Sequence, residues 1–389
     1  MRIARRVQAL PPYLFAELER KIDERRAAGV DVISLGIGDP DLPTPGHVVE
    51  EARAQVGRPD THRYPSNRGR REFREAVAGF YATRFGVELD PDTEILPLLG
   101  GKEGVAHVCF SMLDPGDACL IADPGYPVYT SGPLLAGAEP ILMPLTAENG
   151  FQPDLTAIPR LVADRANLLF CNYPNNPTGA VVEVEFFERL AAFGLEHAVP
   201  VVHDNAYSEI TFDGYVAPSF LQAGRAREAG VEMFSLSKAY NMTGWRAGAA
   251  VGNAEMIEAL WKLKTNIDSG IFDAVQMAAA RALTGPQDHV REMCAIYARR
   301  RDLVLAALGA VGIDVPAPRG TIYVWVPVPE GHTSVSFAEL VLDQAAVVVS
   351  PGSAYGPNGE GYVRLSLTLP DDRLAEAMSR IEQHLRVPV

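Results

Sequence analysis

Five short apolar runs mark the middle of the chain: Ala118–Ile121, Leu168–Cys171, Val199–Val202, Glu232–Leu236 and Gly248–Val251. Helical patterns such as Val184–Phe193 and Glu255–Lys264 lie between several of them. A strand that is apolar at nearly every position has no side to give to solvent, so it must be covered above and below. Such strands alternating with helices predict an α/β fold with a mostly parallel sheet and helices on both faces. After about Gly285 the texture changes. A long charged amphipathic stretch (His289 to Leu308) precedes strands Ile322–Pro327, Ala346–Val349 and Val363–Leu367 and a closing helix from Asp371. That order predicts a smaller α+β domain, joined by an N-terminal helix (Leu14–Arg26) and strand (Val32–Leu35). The expected division is an N-terminal arm with part of the small domain (1–45), a large domain (46–285) and a small C-terminal domain (286–389). A length of 389 residues is ample for two cores.

Charge and composition remove several function classes. Lys and Arg total 35 against 49 Asp and Glu, a net charge of −14, and such a surface repels phosphate backbones. No nucleic-acid partner is expected. No run approaches the ~18 apolar residues of a membrane-spanning helix, and the basic stretch Met1–Leu10 lacks the roughly 7–15-residue apolar core of a signal peptide. Cys109, Cys119, Cys171 and Cys294 form no C-x-x-C pair. The expectation is a cytoplasmic protein with reduced, mostly buried thiols and no metal site. Asn241-Met242-Thr243 fits a glycosylation sequon, read here as chance.

The chemistry concentrates at strand ends. Lys238, one of only five lysines, lies in Ser235-Leu236-Ser237-Lys238 directly after an apolar strand, with Arg246 eight residues on. Two hydroxyls, an amine and a guanidinium suit a Schiff-base lysine beside a phosphate; a loop lysine with capping serines is the plainer alternative. Gly100-Gly101-Lys102-Glu103-Gly104 opens an apolar helix running to Met112, and a glycine-led helix N-terminus presents free N–H groups to an anion. Tyr126, between Gly125 and Pro127 at another strand end, could stack on a flat ring or simply fill a turn. Asn172-Tyr173-Pro174-Asn175-Asn176-Pro177-Thr178-Gly179 reads as a tight turn whose asparagines could donate to a ligand. Asp204 stands where α/β sheets place ligand contacts, with Tyr207 just beyond it. An Asx-turn cap is the competing reading, and His203 reads as a packed, hydrogen-bonded histidine.

In this order the motifs resemble the fold-type I, pyridoxal-phosphate-dependent aminotransferases of class I/II, over essentially the whole chain. The resemblance implies an aspartate-aminotransferase-like fold, a large mixed-sheet domain plus a smaller α+β domain, and a homodimer with shared sites. It implies that Lys238 holds pyridoxal 5′-phosphate covalently and then moves the substrate proton, and that Asp204 pairs with the pyridinium nitrogen. Tyr126 would stack on the ring, and Asn176 and Tyr207 would bond its phenolic oxygen. Gly101, Lys102, Ser235, Ser237 and Arg246 would hold the phosphate, with Tyr64 reaching the phosphate of the neighbouring subunit. Arg364 would clamp the substrate α-carboxylate, Gly38 would touch it, and Lys102, Tyr126 and Asn176 would stand beside the substrate.

Longer strings narrow the resemblance. Pro11-Pro12-Tyr13-Leu14-Phe15-Ala16-Glu17, Phe212-Asp213-Gly214-Tyr215 with Pro218-Ser219-Phe220-Leu221, and Asn266-Ile267-Asp268-Ser269-Gly270-Ile271-Phe272 are similar to the bacterial and archaeal LL-diaminopimelate aminotransferase group. That implies transfer between LL-diaminopimelate and 2-oxoglutarate in lysine biosynthesis, with Tyr13 and Asn266 lining the substrate pocket. Two positions depart. Gly100-Gly101 stands where the group often has Gly-Ser. Asn67 stands where the plant branch has a glutamate to read the distal ammonium, which leaves aspartate, alanine or a broad range of amino donors open. A C–S β-lyase or an aminocyclopropane-carboxylate-synthase-like enzyme would share the same lysine, aspartate and arginine. A ligand-sensing regulator would carry an N-terminal DNA-binding domain and linker; with the first motif glycine at Gly36 and an acidic net charge, that class is not expected.

Overall fold

The computed structural model describes residues 2–10 and 15–386. A two-residue strand, β1 (Ile33–Ser34), is followed by seven strands of one sheet. These are β2 (Ile95–Leu98), β3 (Ala118–Asp123), β4 (Glu139–Pro144), β5 (Ala166–Cys171), β6 (Val201–Asn205), β7 (Gly230–Ser235) and β8 (Gly248–Gly252). Their spatial order is β2-β8-β7-β6-β5-β3-β4. Strands β3 to β7 pair in parallel, whereas β8 runs antiparallel to both β2 and β7. The sheet is therefore mixed, and the connection explains why. The chain returns from the Lys238 turn without a crossover helix, and a direct return can only run antiparallel.

Alternation along each strand feeds two apolar layers. Leu168, Phe170, Val202, Val231 and Met233 pack against Val105, Val108, Tyr129, Ile257 and Leu260 on one face. Leu169, Cys171, Val201 and Phe234 pack against Val77, Tyr81, Phe187 and Leu190 on the other. Strands β2 and β4 are absent from the sequence reading because both carry prolines. They are the two edges of the sheet, where a missing N–H costs least.

A second sheet, antiparallel, is ordered β11-β12-β9, from β9 (Tyr323–Pro327), β11 (Ser350–Pro351) and β12 (Tyr362–Ser366). The short β10 (Val347–Val348) pairs in parallel with β1. Helices Asp288–Ala310, Ser334–Ala345 and Asp371–His384 cover this layer around Tyr297, Val324, Val326, Phe337, Val363, Leu374 and Ile381. Tyr207, Ile210 and Phe212, from the loop after β6, belong to the same core and tie the layer to the large sheet. The N-terminal helix Phe15–Ala27 docks there through Ile22 and the ion pairs Lys21–Glu339 and Arg25–Asp343. No helix among the described residues is long and apolar enough to cross a membrane.

Candidate active site

Beyond the C-terminal ends of β3, β5, β6 and β7 the chain releases its polar residues into one place. Strand β6 extends to Asn205, so Asp204 lies in the strand rather than after it. Asp204 shares a face with Val202, toward Tyr129, while His203 points to the opposite layer. The Tyr129 hydroxyl donates to Asp204 Oδ2 at 2.8 Å, and Asn172 Nδ2 donates to the Asp204 carbonyl at 2.7 Å. Burial pushes the Asp204 carboxyl up to about 6, against the pull of the Tyr129 hydrogen bond. Asn172 Oδ1 accepts from Asn176 N at 2.7 Å, so one amide splints strand end to turn.

Gly100, at φ +82°, begins the helix Gly101–Met112. A Cβ on Gly100 would overlap the Arg246 guanidinium, and one on Gly101 would stand 3.5 Å from Ser235 Cβ and 4.0 Å from Asp204 Oδ1. Glycine at position 100 thus lets the Arg246 guanidinium close on the start of this helix, beside Ser235 and Asp204. Ser235 Oγ accepts from Ser237 N at 3.2 Å and starts the single turn Leu236–Ala239 that carries Lys238. Arg246 is itself at φ +57°, held to the Thr243 carbonyl at 2.7 Å and the Leu99 carbonyl at 3.3 Å. The ring of Tyr126 meets Tyr129 edge to face at 5.9 Å, and Lys102 Nζ lies 5.9 Å from its centroid. Burial, with Asp204 nearby, pushes the Tyr126 phenol up to about 12.

Two cations share one strip of backbone. Lys238 Nζ donates to Gly38 O at 2.6 Å, and Arg364 Nη2 donates to Gly36 O at 2.8 Å. Arg364, buried on β12, also donates to Asn176 Oδ1 at 2.8 Å, leaving the Asn176 amide nitrogen facing elsewhere. Its guanidinium lies between the rings of Tyr323 (3.9 Å) and Tyr355 (4.8 Å), and its Nε is buried without a partner among the described residues. Tyr207 places its hydroxyl 3.3 Å from that of Tyr323.

Lys238, Asp204, Tyr207, Gly38, Gly101, Lys102, Tyr126, Asn176, Ser235, Ser237, Arg246 and Arg364 thus stand in one region. Tyr64 does not join them in this chain: it is 89% exposed. Asn67 is exposed too, and Asn266 is exposed with its amide on the Lys262 carbonyl at 2.8 Å. Tyr13 lies outside the described residues. Sequence reading missed Tyr129, Tyr323 and Tyr355, and it placed Asn172 in a turn without its bonds to Asp204 and Asn176. Tyr129 follows Tyr126 by one helical turn, a spacing that could have flagged it; Tyr323 sits in an apolar strand and gave no signal.

Two networks brace the site from behind, the first buried and the second half-buried. Glu232, opposite His203 in the sheet register, accepts from His203 Nδ1 (2.8 Å), Asn205 Nδ2 (2.8 Å), Phe220 N (2.8 Å), Ser219 Oγ and the Tyr81 hydroxyl. Burial alone would raise this carboxyl, but the His203 bond and its companions hold it below the usual carboxylate range. Glu103, His107 and Asp268 form the second group, with ligand atoms within 4.8 Å of one another. Lys264 Nζ lies 2.8 Å from Glu103 Oε1 and 2.9 Å from Asp268 Oδ2, so the cluster already holds a cation. Glu103 Oε2 accepts from Leu99 N at 2.8 Å, which ties this group to the glycine-led turn.

The family model for aminotransferase class I and II matches residues 30–381. The chain belongs to this family. It is 57% identical to the LL-diaminopimelate aminotransferase of Desulforudis audaxviator over 378 residues, covering 97% of this chain and 96% of that protein. It is 54% identical to the enzyme of that name from Moorella thermoacetica over 385 residues, covering 99% of each. Among solved structures, substrate-bound BacF from Bacillus subtilis matches with a TM-score of 0.94 at 40% identity, covering 98% of both chains. Aspartate aminotransferase from Thermus thermophilus with maleate matches at 0.91 and 33% identity, covering 98% of this chain and 100% of that one. This aminotransferase has the aspartate-aminotransferase fold and uses pyridoxal 5′-phosphate. The residues present fit that group. The helix N-terminus at Gly101 beside Ser235, Ser237 and Arg246 suits a phosphate, and the Asp204 carboxyl, buried at a cost to its charge, suits a cationic ring nitrogen that would restore that charge.

Proposed function

We propose that this aminotransferase moves an amino group between LL-diaminopimelate and the 2-oxoglutarate/glutamate pair, a step of lysine biosynthesis. The observation that carries the chemistry is the pair of cations on Gly36 O and Gly38 O. An amino acid whose α-carboxylate takes the planar fork of Arg364 brings its Cα toward Lys238. The donor named in the relatives at 57% and 54% identity supports the substrate.

Bound pyridoxal phosphate supplies the electron sink that lets the Cα proton leave. Lys238 Nζ, as a free amine, would take that proton from Cα and deliver it to the cofactor carbon that keeps the amino group. Asp204 holds a proton on the ring nitrogen, oriented by the Tyr129 hydroxyl. Tyr126 would cover the ring face, and Tyr207 with the Asn176 amide nitrogen would orient the phenolic oxygen. Gly101, Lys102, Ser235, Ser237 and Arg246 bind the phosphate through N–H groups, hydroxyls and one guanidinium.

The assembly belongs to the same reading. The turn carrying Tyr64 packs against Gly270 through Pro65, and this side bares Tyr64, Ile267 (56% exposed) and Phe272 (41%). Contiguous exposed apolar groups mark an interface, which supports a homodimer whose Tyr64, Asn67 and Asn266 serve the neighbouring site. The division at 45 and 285 is part of the reading, supported by the separate apolar clusters of the two layers. Four free cysteines accord with the cytoplasm. The neutral Asn67 favours a second reading, broad donor use including aspartate and alanine.

The test is a single-turnover screen of the holoenzyme by visible absorbance, with diaminopimelate, glutamate, aspartate and alanine side by side and no keto acid. Conversion by diaminopimelate and glutamate that stops after one half-reaction supports the proposal. Continued turnover without keto acid would identify a β-lyase, and indifference to diaminopimelate would identify the broader enzyme.

A further inference from the structure

We propose that Tyr323 is a positioning residue for transamination, one ring fixing the plane of Arg364, the main chain at Gly38 and, through its hydroxyl, the hydroxyl of Tyr207. The inference deepens the reading above and rests on it.

Three contacts argue for it. A Cβ on Gly38 would overlap the Tyr323 hydroxyl and ring carbons, so glycine alone lets this ring lie on the strip that receives Lys238. The same ring faces the Arg364 guanidinium at 3.9 Å. That cation–π contact leaves the fork only in-plane directions for its partners. The Tyr323 hydroxyl is 3.3 Å from that of Tyr207, the rings meeting edge to face at 5.9 Å.

The ring cannot drift. Thr321, at φ +72°, turns the chain into β9, and its Oγ1 accepts from Tyr323 N at 3.1 Å. Thr321 N in turn donates to Ile210 O at 3.0 Å, in the loop beyond Tyr207.

Charged and phenolic groups surround the Tyr323 hydroxyl. Burial would raise the phenol, but Arg364 and Lys238 draw it below its ordinary range, with Asp39 opposing them and Tyr126, Tyr297 and Tyr355 the other phenols around it. Tyr207 shifts the opposite way, upward, through burial and the Tyr323 contact. Each hydroxyl has one hydrogen: if Tyr207 spends its own on the ligand oxygen, as proposed above, the 3.3 Å contact is completed by the Tyr323 hydroxyl donating to the Tyr207 oxygen, a relay in which each bond strengthens the next.

Tyr323→Phe and Tyr323→Leu separate hydroxyl from ring. The readouts are the pH midpoint of the visible absorbance of resting holoenzyme and the kcat and KM for glutamate with 2-oxoglutarate. Without the hydroxyl, Tyr207 satisfies the ligand oxygen less well as an anion, and that oxygen keeps its proton to higher pH. Tyr323→Phe should move the midpoint upward by about half a pH unit or more, with KM within about twofold of wild type. Tyr323→Leu should also raise KM about tenfold as the guanidinium plane loosens. A midpoint unmoved in Tyr323→Phe overturns the proposal even if the leucine variant fails to fold. A wild-type holoenzyme without a pH-dependent visible band would instead overturn the transamination reading itself.

Discussion

Tyr129 donates its buried hydroxyl to Asp204 Oδ2 at 2.8 Å, and its ring stacks on Phe170 at 5.4 Å. The bond opposes the upward push that burial gives the Asp204 carboxyl. Tyr129→Phe keeps the stack and removes the donor, so the carboxyl rises further and pairs less well with a protonated ring nitrogen. The expected cost is about 1–1.5 kcal/mol, roughly a tenfold weaker cofactor dissociation constant. Absorbance titration of apoenzyme with pyridoxal phosphate measures it; equal affinity would make Tyr129 a packing residue only.

Asp204 should destabilise the empty protein. Its folded carboxyl titrates near 6 rather than 3.8. A raised folded value means that its contribution is most favourable below the ordinary value and is lost as pH rises through 6. At pH 8 the charged form costs up to about 3 kcal/mol, at 1.36 kcal/mol per unit. Apo Asp204→Asn should therefore resist denaturant better than apo wild type at pH 8, the gap closing as pH falls toward 4. Its holoenzyme should lose kcat on the order of 10²-fold. Equal apo stabilities would mean the carboxylate is solvated.

Arg364→Lys keeps a charge and loses the fork. The expected cost in kcat/KM is roughly 2–4 kcal/mol. It should be similar for glutamate and diaminopimelate, because both offer the same α-carboxylate. A change in donor preference with the glutamate half-reaction intact would place a side chain, not the carboxylate, at Arg364.

Shared sites predict complementation. Lys238→Ala and Tyr64→Ala homodimers should each be nearly inactive. Hybrids formed by refolding the two together carry both lesions in one site and neither in the other. A one-to-one mixture should then recover about a quarter of the wild-type rate. No recovery would place Tyr64 outside the partner's site.

Glu232→Gln leaves His203, Asn205, Ser219 and Tyr81 facing a neutral amide. Loss of about 3–5 kcal/mol in denaturant unfolding at neutral pH is expected. Because the folded carboxyl lies below the ordinary 4.5, its contribution is present above that value and fades as pH falls further. The difference between wild type and variant should shrink in acid; a difference that held at pH 3 would point to packing.

Much of this was legible in the chain. Continuous apolar runs announced β3, β5, β6 and β7, because a strand covered on both faces has nothing polar to hide. The glycine-led helix ended at Met112 as expected. The reversal of β8 was not legible: Gly248–Val251 has the same composition whichever way it runs. Asp204 and Lys238 stood out because each polar group sits where a buried strand ends. Tyr129 and Tyr323 did not, since a tyrosine buried for its ring and one buried for its hydroxyl look alike in sequence. Tyr64 and Asn266 show the other limit: both are exposed here, and within one chain a residue that would serve a neighbouring copy looks like a surface loop.

Lys264, 2% exposed, fills a nest of Glu103, Asp268 and His107 that an ion could otherwise occupy. A counter-ion tethered by covalent bonds cannot be diluted away, stripped by a chelator or exchanged for a competing metal. The Leu99 amide hangs on the same carboxylate. The glycine turn at Gly100 and Gly101 is thus held in shape by a charge that travels with the polypeptide, whatever the mineral content of its surroundings.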